Sequence, residues 1–278
     1  MRWTLRFALP ALLLVIIISV TLYIKFAQIW DQYSAPSYAW ASLQNTLRGS
    51  TLDNPPAVLG KVEDKVVIMA RVESENTDWV AEGLPDWQHA IYTVNPSAST
   101  PNTTLTTPQN KGHESMAYLT YVIDHYTSLP ATLAFIHPHR RGFRDAWHTD
   151  TPLHDNVDAL RTLQIPYVQQ NGYVNLRCNW NPGCEKAHRK NKHITAEVWR
   201  DVFKGVSKAS FSQPEYVPGE VGAACCAQFA VSRNRVLERP LSDYEAWRQW
   251  VVDTPLSDAR SGRVLEFLWH VIFGMDAV

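Results

Sequence analysis

Residues 132–150 read TLAFIHPHRRGFRDAWHTD. The apolar run Leu133, Ala134, Phe135, Ile136 has the length and composition of a short buried strand. It stops at His137-Pro138-His139, because a proline has no N–H to give a central ladder. Arg140, Arg141 and Arg144 follow, then Asp145, His148 and Asp150. Imidazoles, guanidiniums and carboxylates are thus crowded at the carboxyl end of one strand, the edge where open α/β sheets bind ligands. Imidazole and carboxylate suit a divalent cation, and guanidinium forks suit phosphate. The stretch therefore predicts a cation beside a diphosphate. The competing reading is a solvated basic turn whose imidazoles bond backbone carbonyls.

Upstream, Lys65–Val72 is a compact apolar strand, expected near the centre of a parallel sheet. Glu73, Glu75 and Asp78 follow it, placed either to hold the ribose and base of a nucleotide or, with Thr77, to cap the next helix. His89–Asn95 is a second strand, and Pro96–Lys111 is a polar loop. From Gly112 to Tyr126 apolar residues recur at three and four (Met116, Leu119, Val122, Ile123, Tyr126), a helix with one apolar face. Strand, strand, helix, strand argues for an α/β sheet with crossovers.

Downstream, the pattern predicts helices over His154–Leu163, Ala196–Phe203 and Asp243–Val252, and strands over Tyr173–Cys178 and Ala223–Val231. The last helix, Gly262–Phe273, is apolar but carries Glu266 and His270, four apart and on one face. Such a pair is costly to bury unless it is well partnered or does chemistry.

The 278 residues, 45% hydrophobic, suffice for one sizeable domain or two small ones. A net charge of −1 gives no electrostatic case for a nucleic-acid partner. Phe7–Ile24 is eighteen residues without a charge, preceded by Arg2 and Arg6 and followed by Lys25. That predicts an uncleaved anchor with a cytoplasmic N-terminus, since no small-x-small cleavage site follows it; a cleaved signal peptide is the alternative. The resulting division is a tail over 1–6, a span over 7–24, a stem over 25–61 and a lumenal domain over 62–278. An oxidising lumen favours disulfides. Cys178 and Cys184 can pair with each other or with Cys225 or Cys226, and a zinc site of Cys178, Cys184 and His188 is the weaker alternative. Asn102-Thr103-Thr104 is a glycosylation sequon.

The segments HESMAYLTYVIDHYTSLP, FIHPHR, WHTD, GYVNLRC, AQFAVSR and LEFLWHVIF, spread from Val66 to Phe273, together resemble a fungal membrane-anchored family classed as a domain of unknown function. Its layout is similar to glycosyltransferases of the GT-A fold. The resemblance implies a mixed, mostly parallel sheet flanked by helices, and a divalent cation, Mn2+ or Mg2+, held against a nucleotide-sugar donor. His137 and His139 stand where those enzymes carry an Asp-x-Asp or Asp-x-His, a departure from the acidic pattern. His148, Asp150 and, from near the C-terminal end, His270 complete the expected ligands. Glu266 or Asp243 would be the base that deprotonates a hydroxyl acceptor. Arg71, Glu73, Asp78, Arg140 and Arg144 would face the donor. The expectation is a single-pass membrane protein of the endoplasmic reticulum or Golgi that transfers a sugar in the lumen. A lumenal metal-dependent hydrolase and a non-catalytic accessory membrane protein are the alternatives.

Overall fold

A computed structural model describes residues 2–48, 64–179, 181, 193–207 and 217–278. The first helix, α1 (Arg2–Gln32), contains one stretch, Pro10–Gln32, long and apolar enough to cross a membrane. A second helix, α2 (Ala35–Arg48), follows after a turn at Tyr33 and Ser34. Much of the expected stem is therefore helical, and its remainder, 49–61, lies outside the described residues.

The domain is built on six strands: β1 (Lys65–Arg71), β2 (Gln88–Thr93), β3 (Leu105–Thr106), β4 (Thr132–Phe135), β5 (Tyr173–Asn175) and β6 (Phe229–Ser232). Their order is β3-β2-β1-β4-β6-β5. All run parallel except β6, which is antiparallel to both of its neighbours. The expected α/β class and mostly parallel sheet are both present. The apolar segment 223–231 is strand only from Phe229. Its first half is irregular, with Cys226 at φ +89° and Ala227 at φ +48°.

Strand alternation divides the core in two. Val66 and Ile68 of β1, with Leu133 and Phe135 of β4, face one side. There they meet helices α4 (Glu114–Asp124), α9 (Leu241–Asp253) and α10 (Asp258–Ile272) through Tyr118, Trp247 and Trp269. Val67, Met69, Ala134 and Ile136 face the other side, against α3 (Asp78–Gly83) and α5 (Asn156–Arg161). A Cβ on Gly83 would stand 2.5 Å from a Val157 methyl, so those two helices touch only because this residue has none. The periphery is completed by α6 (Ile165–Asn171), α7 (Ala196–Val202) and α8 (Arg233–Leu237).

Candidate functional site

Beyond the carboxyl end of β4 lies a cavity of about 380 Å³. Its walls come from four directions: His137, Trp147 and His148 from the segment after β4; His113 and Glu114 at the start of α4; Cys225 and Cys226 before β6; and Ala259, Gly262, Arg263 and Glu266 from α10. The α10 residues are spaced at three and four, so one helical face looks into the hollow. Gln32, the last residue of α1, lines it too.

Local chemistry fixes each wall. The α10 face can approach α4 because residue 262 is glycine: a Cβ there would lie 2.6 Å from the His113 ring and 3.1 Å from the Gly112 carbonyl. The Asp258 carboxylate accepts the His113 backbone N–H at 3.0 Å, tying the starts of the two helices together. Cys225 and Cys226 form a disulfide with each other. Cys178 is free and exposed, while Cys184 and His188 lie outside the described residues.

The segment from His137 to Asn156 is held by two buried amides. Gln228 Oε1 accepts the His137 N–H at 2.7 Å, while its Nε2 donates to the His148 carbonyl and to Asn156 Oδ1, each at 3.2 Å. Asn156 Nδ2 in turn donates to the His139 carbonyl at 2.8 Å. This clamp brings the His137 and His148 rings edge to face, 4.5 Å between centroids. His137 Nε2 and His148 Nδ1 are out of water and have no hydrogen-bond partner. Burial, then the neighbouring His139, holds His137 down to about 4. Burial, then His137, holds His148 well below its ordinary value. Both rings are neutral at physiological pH, each with one buried ring nitrogen left without a hydrogen-bond partner.

Opposite them are two carboxyl groups. Glu266 Oε1 accepts the Cys226 N–H at 2.6 Å, and Oε2 accepts from Arg263 Nη1 at 2.5 Å. Burial raises Glu266, against the opposing pull of Arg263 and the Cys226 amide. Burial, reinforced by the Glu266 charge, pushes Glu114 up to about 8. Burial raises both carboxyls, but only Glu266 has a guanidinium and a backbone amide bonded to its oxygens, an asymmetry that suits one acid and one base in a site. Of the two expected bases, Glu266 is in the cavity. Asp243 is not: it is buried against Arg239 Nη1 at 3.3 Å and takes Ser207 N–H and O–H bonds at 2.9 and 2.6 Å, so its charge is already compensated.

The five expected metal ligands are not gathered. Only His137 and His148 share the cavity. His139 is half-exposed, 3.6 Å from Glu75. His270, one turn beyond Glu266, donates to the Ala277 carbonyl at 3.3 Å. Asp150 accepts the backbone N–H groups of Cys178 and Asn179, and Arg177 pairs with it at 4.0 Å. Among the described residues no three His, Cys, Asp or Glu side chains are grouped to hold a metal ion. The residues present do not fit the expected cation. The expected donor contacts also fall outside the cavity. Arg71 bonds Thr93, Thr77 and the Glu75 carbonyl; Glu73 accepts from Ser97 and Thr100; Asp78 accepts from Asn76. These bonds knit the loops after β1 and β2 together. Arg140 pairs with Asp155 at 3.5 Å, and Arg144 is exposed.

Glu114, His113 and Arg263 are the site residues that sequence reading passed over. Glu114 reads as an ordinary acidic residue in a first helical turn. Arg263 was legible as the i−3 neighbour of Glu266, had that face been followed backward as well as forward to His270.

Residues 67–278, about three quarters of the chain, match the family described as Protein of unknown function (DUF3431). No curated protein and no solved structure matches the chain.

Proposed function

The chain belongs to the DUF3431 family, and we propose that it is a membrane-anchored glycosyltransferase of GT-A-like layout, moving a sugar from a nucleotide-sugar donor to a hydroxyl acceptor. One observation carries the reading. At the carboxyl edge of a mostly parallel sheet, a single cavity holds two carboxyls, a guanidinium and two neutral imidazoles whose buried nitrogens lack partners.

Glu266 is the base. Its carboxylate is oriented by the Cys226 N–H and Arg263, and it takes the acceptor's hydroxyl proton. The acceptor oxygen bonds to the anomeric carbon as the bond from that carbon to the diphosphate oxygen breaks, and the nucleoside diphosphate leaves with the electron pair. Arg263, His113 and the protonated Glu114 line the same wall and offer the donors for that developing charge. The neutral imidazoles of His137 and His148 line the cavity with polar ring edges that suit sugar hydroxyls, and the Trp147 ring suits an apolar sugar face. No step is routed through a cation, since only His137 and His148 of the expected ligands share the cavity and no three ligating side chains are grouped among the described residues.

The placement in the secretory pathway, endoplasmic reticulum or Golgi, rests on two supports. Arg2 and Arg6 precede the apolar helix against Lys25 after it, and a disulfide suits an oxidising lumen. The hydrolase alternative draws on the same histidines, of which only His137 and His148 share the cavity.

The test is a donor screen on the purified full chain in detergent, reading released nucleoside diphosphate from a panel of nucleotide sugars. Release abolished by Glu266→Gln is the expected result. No release from any donor, with no rise in melting temperature on adding UDP or GDP, sinks the proposal.

A further inference from the structure

The last turn of the apolar helix is bolted to the cavity. Arg177, fully buried, donates from Nη2 to the Gln32 carbonyl at 2.8 Å and to the Asn181 carbonyl at 3.0 Å, and from Nη1 to the Trp147 carbonyl. Asn181 Nδ2 bonds the Gln28 carbonyl and the Asp31 carboxylate, each at 3.1 Å. The Tyr33 ring packs on Phe143 and on Trp147, 5.2 Å between centroids in each case. With Gln32 in the cavity wall, the site cannot swing away from the end of α1.

Its depth follows from helix geometry. Eight residues separate Ile24, the end of the uncharged run, from Gln32, a rise of about 12 Å at 1.5 Å per residue. The headgroup layer adds only about 5–8 Å beyond the hydrocarbon in each leaflet. Phe26, Ile29 and Trp30 remain exposed in that interval, so the apolar boundary reaches past Lys25 toward the cavity. Helix α2 continues the same surface. From Gln32 to Leu47 no residue is charged. Trp40, Leu43 and Leu47, spaced along one stripe, are 62%, 48% and 76% exposed, while Tyr38 packs inward on Phe143 and His154. A helix without charge before its final Arg48, carrying a bare tryptophan and two bare leucines and fixed at the outer end of a spanning helix, has the bilayer interface as its complementary phase.

We propose that the hydroxyl acceptor is membrane-borne: a lipid whose headgroup enters the cavity at Gln32 while α2 lies in the headgroup layer beside it. The acceptor part of this inference rests on the transferase reading; the placement of α2 does not.

Two measurements separate them. The full chain is placed in nanodiscs of phosphatidylcholine carrying a diazirine phosphatidylcholine, illuminated and mapped by mass spectrometry. Lipid adducts within 36–48 are expected; adducts confined to 7–24 overturn the placement. In parallel, nanodiscs of phosphatidylcholine with microsomal lipid extract are given radiolabelled nucleotide sugars and a soluble glycoside. Label in the organic extract is expected. The triple variant Trp40→Ser, Leu43→Ser, Leu47→Ser should lower it by roughly tenfold or more while soluble-glycoside turnover stays at the native level. Label only on the soluble glycoside overturns the lipid acceptor and leaves the transferase standing. No nucleotide released from any donor sinks the transferase and the lipid acceptor together, and adducts on α2 still uphold its place at the bilayer.

Discussion

Arg263 and the Cys226 amide favour the charge on Glu266 against the burial that raises it, while burial and the Glu266 charge push Glu114 up to about 8. Turnover should therefore rise as Glu266 loses its proton and fall again near pH 8 as Glu114 loses its own, a bell whose alkaline limb disappears in Glu114→Gln. Replacing the proposed base, Glu266→Gln, should cut turnover by roughly 10²–10⁴-fold; the amide oxygen can still accept the Cys226 N–H, while the ion pair with Arg263 is lost. A second consequence is thermodynamic. A carboxyl whose folded pKa is raised gives stability that is complete below its unfolded value of 4.5 and lost as pH climbs through about 8. Glu114→Gln does not titrate. Its melting temperature should match the native chain at pH 5 and exceed it above pH 8; a constant difference across that range would refute the assignment.

The pairing of α4 with α10 depends on one absent methyl. Gly262→Ala would press a Cβ into the His113 ring and the Gly112 carbonyl. The overpacking costs about 1–3 kcal/mol and should lower the melting point by several degrees while widening the cavity. The loop clamp gives a second element-level test. Gln228→Ala strands the His137 N–H and the Asn156 amide, a cost of about 1–3 kcal/mol; turnover should fall with it although Gln228 does not line the cavity. These contacts also explain what a reader of the sequence can and cannot see. The run Val66–Met69 and the three-four spacing of Met116, Leu119 and Val122 advertise β1 and α4, because burial of a regular element leaves a periodic trace. The segment 137–156 leaves none. Its shape comes from Gln228, 91 residues beyond His137. The imidazoles of HPH were read as neighbours, yet the Asn156 bond to the His139 carbonyl holds the chain with His139 beside Glu75 and His137 beside His148. The irregular half of 223–231 was equally hidden, since AACCA has strand-like composition but closes a disulfide between adjacent residues.

At the scale of the whole molecule, the membrane-proximal helices are part of the folded body. A chain starting at residue 62 would expose the faces of Phe143, Trp147 and His154 that Tyr33 and Tyr38 cover, and leave Arg177 without the Gln32 carbonyl. A chain starting at residue 26 keeps those contacts and should melt higher in the same detergent; equal melting of the two would show that the helices only tether. The antiparallel strand has a temporal cost as well. Strand β4 borders β1 on one side, but its other neighbour, β6, begins 94 residues after Phe135. Ribosomes add about 5–20 residues per second, so for about 5–20 s the emerging polypeptide carries an open apolar edge that can pair with the wrong partner. Nascent chains halted before Phe229 should accordingly be captured by chaperones and cleaved by protease, and become resistant only once the final helices have been delivered.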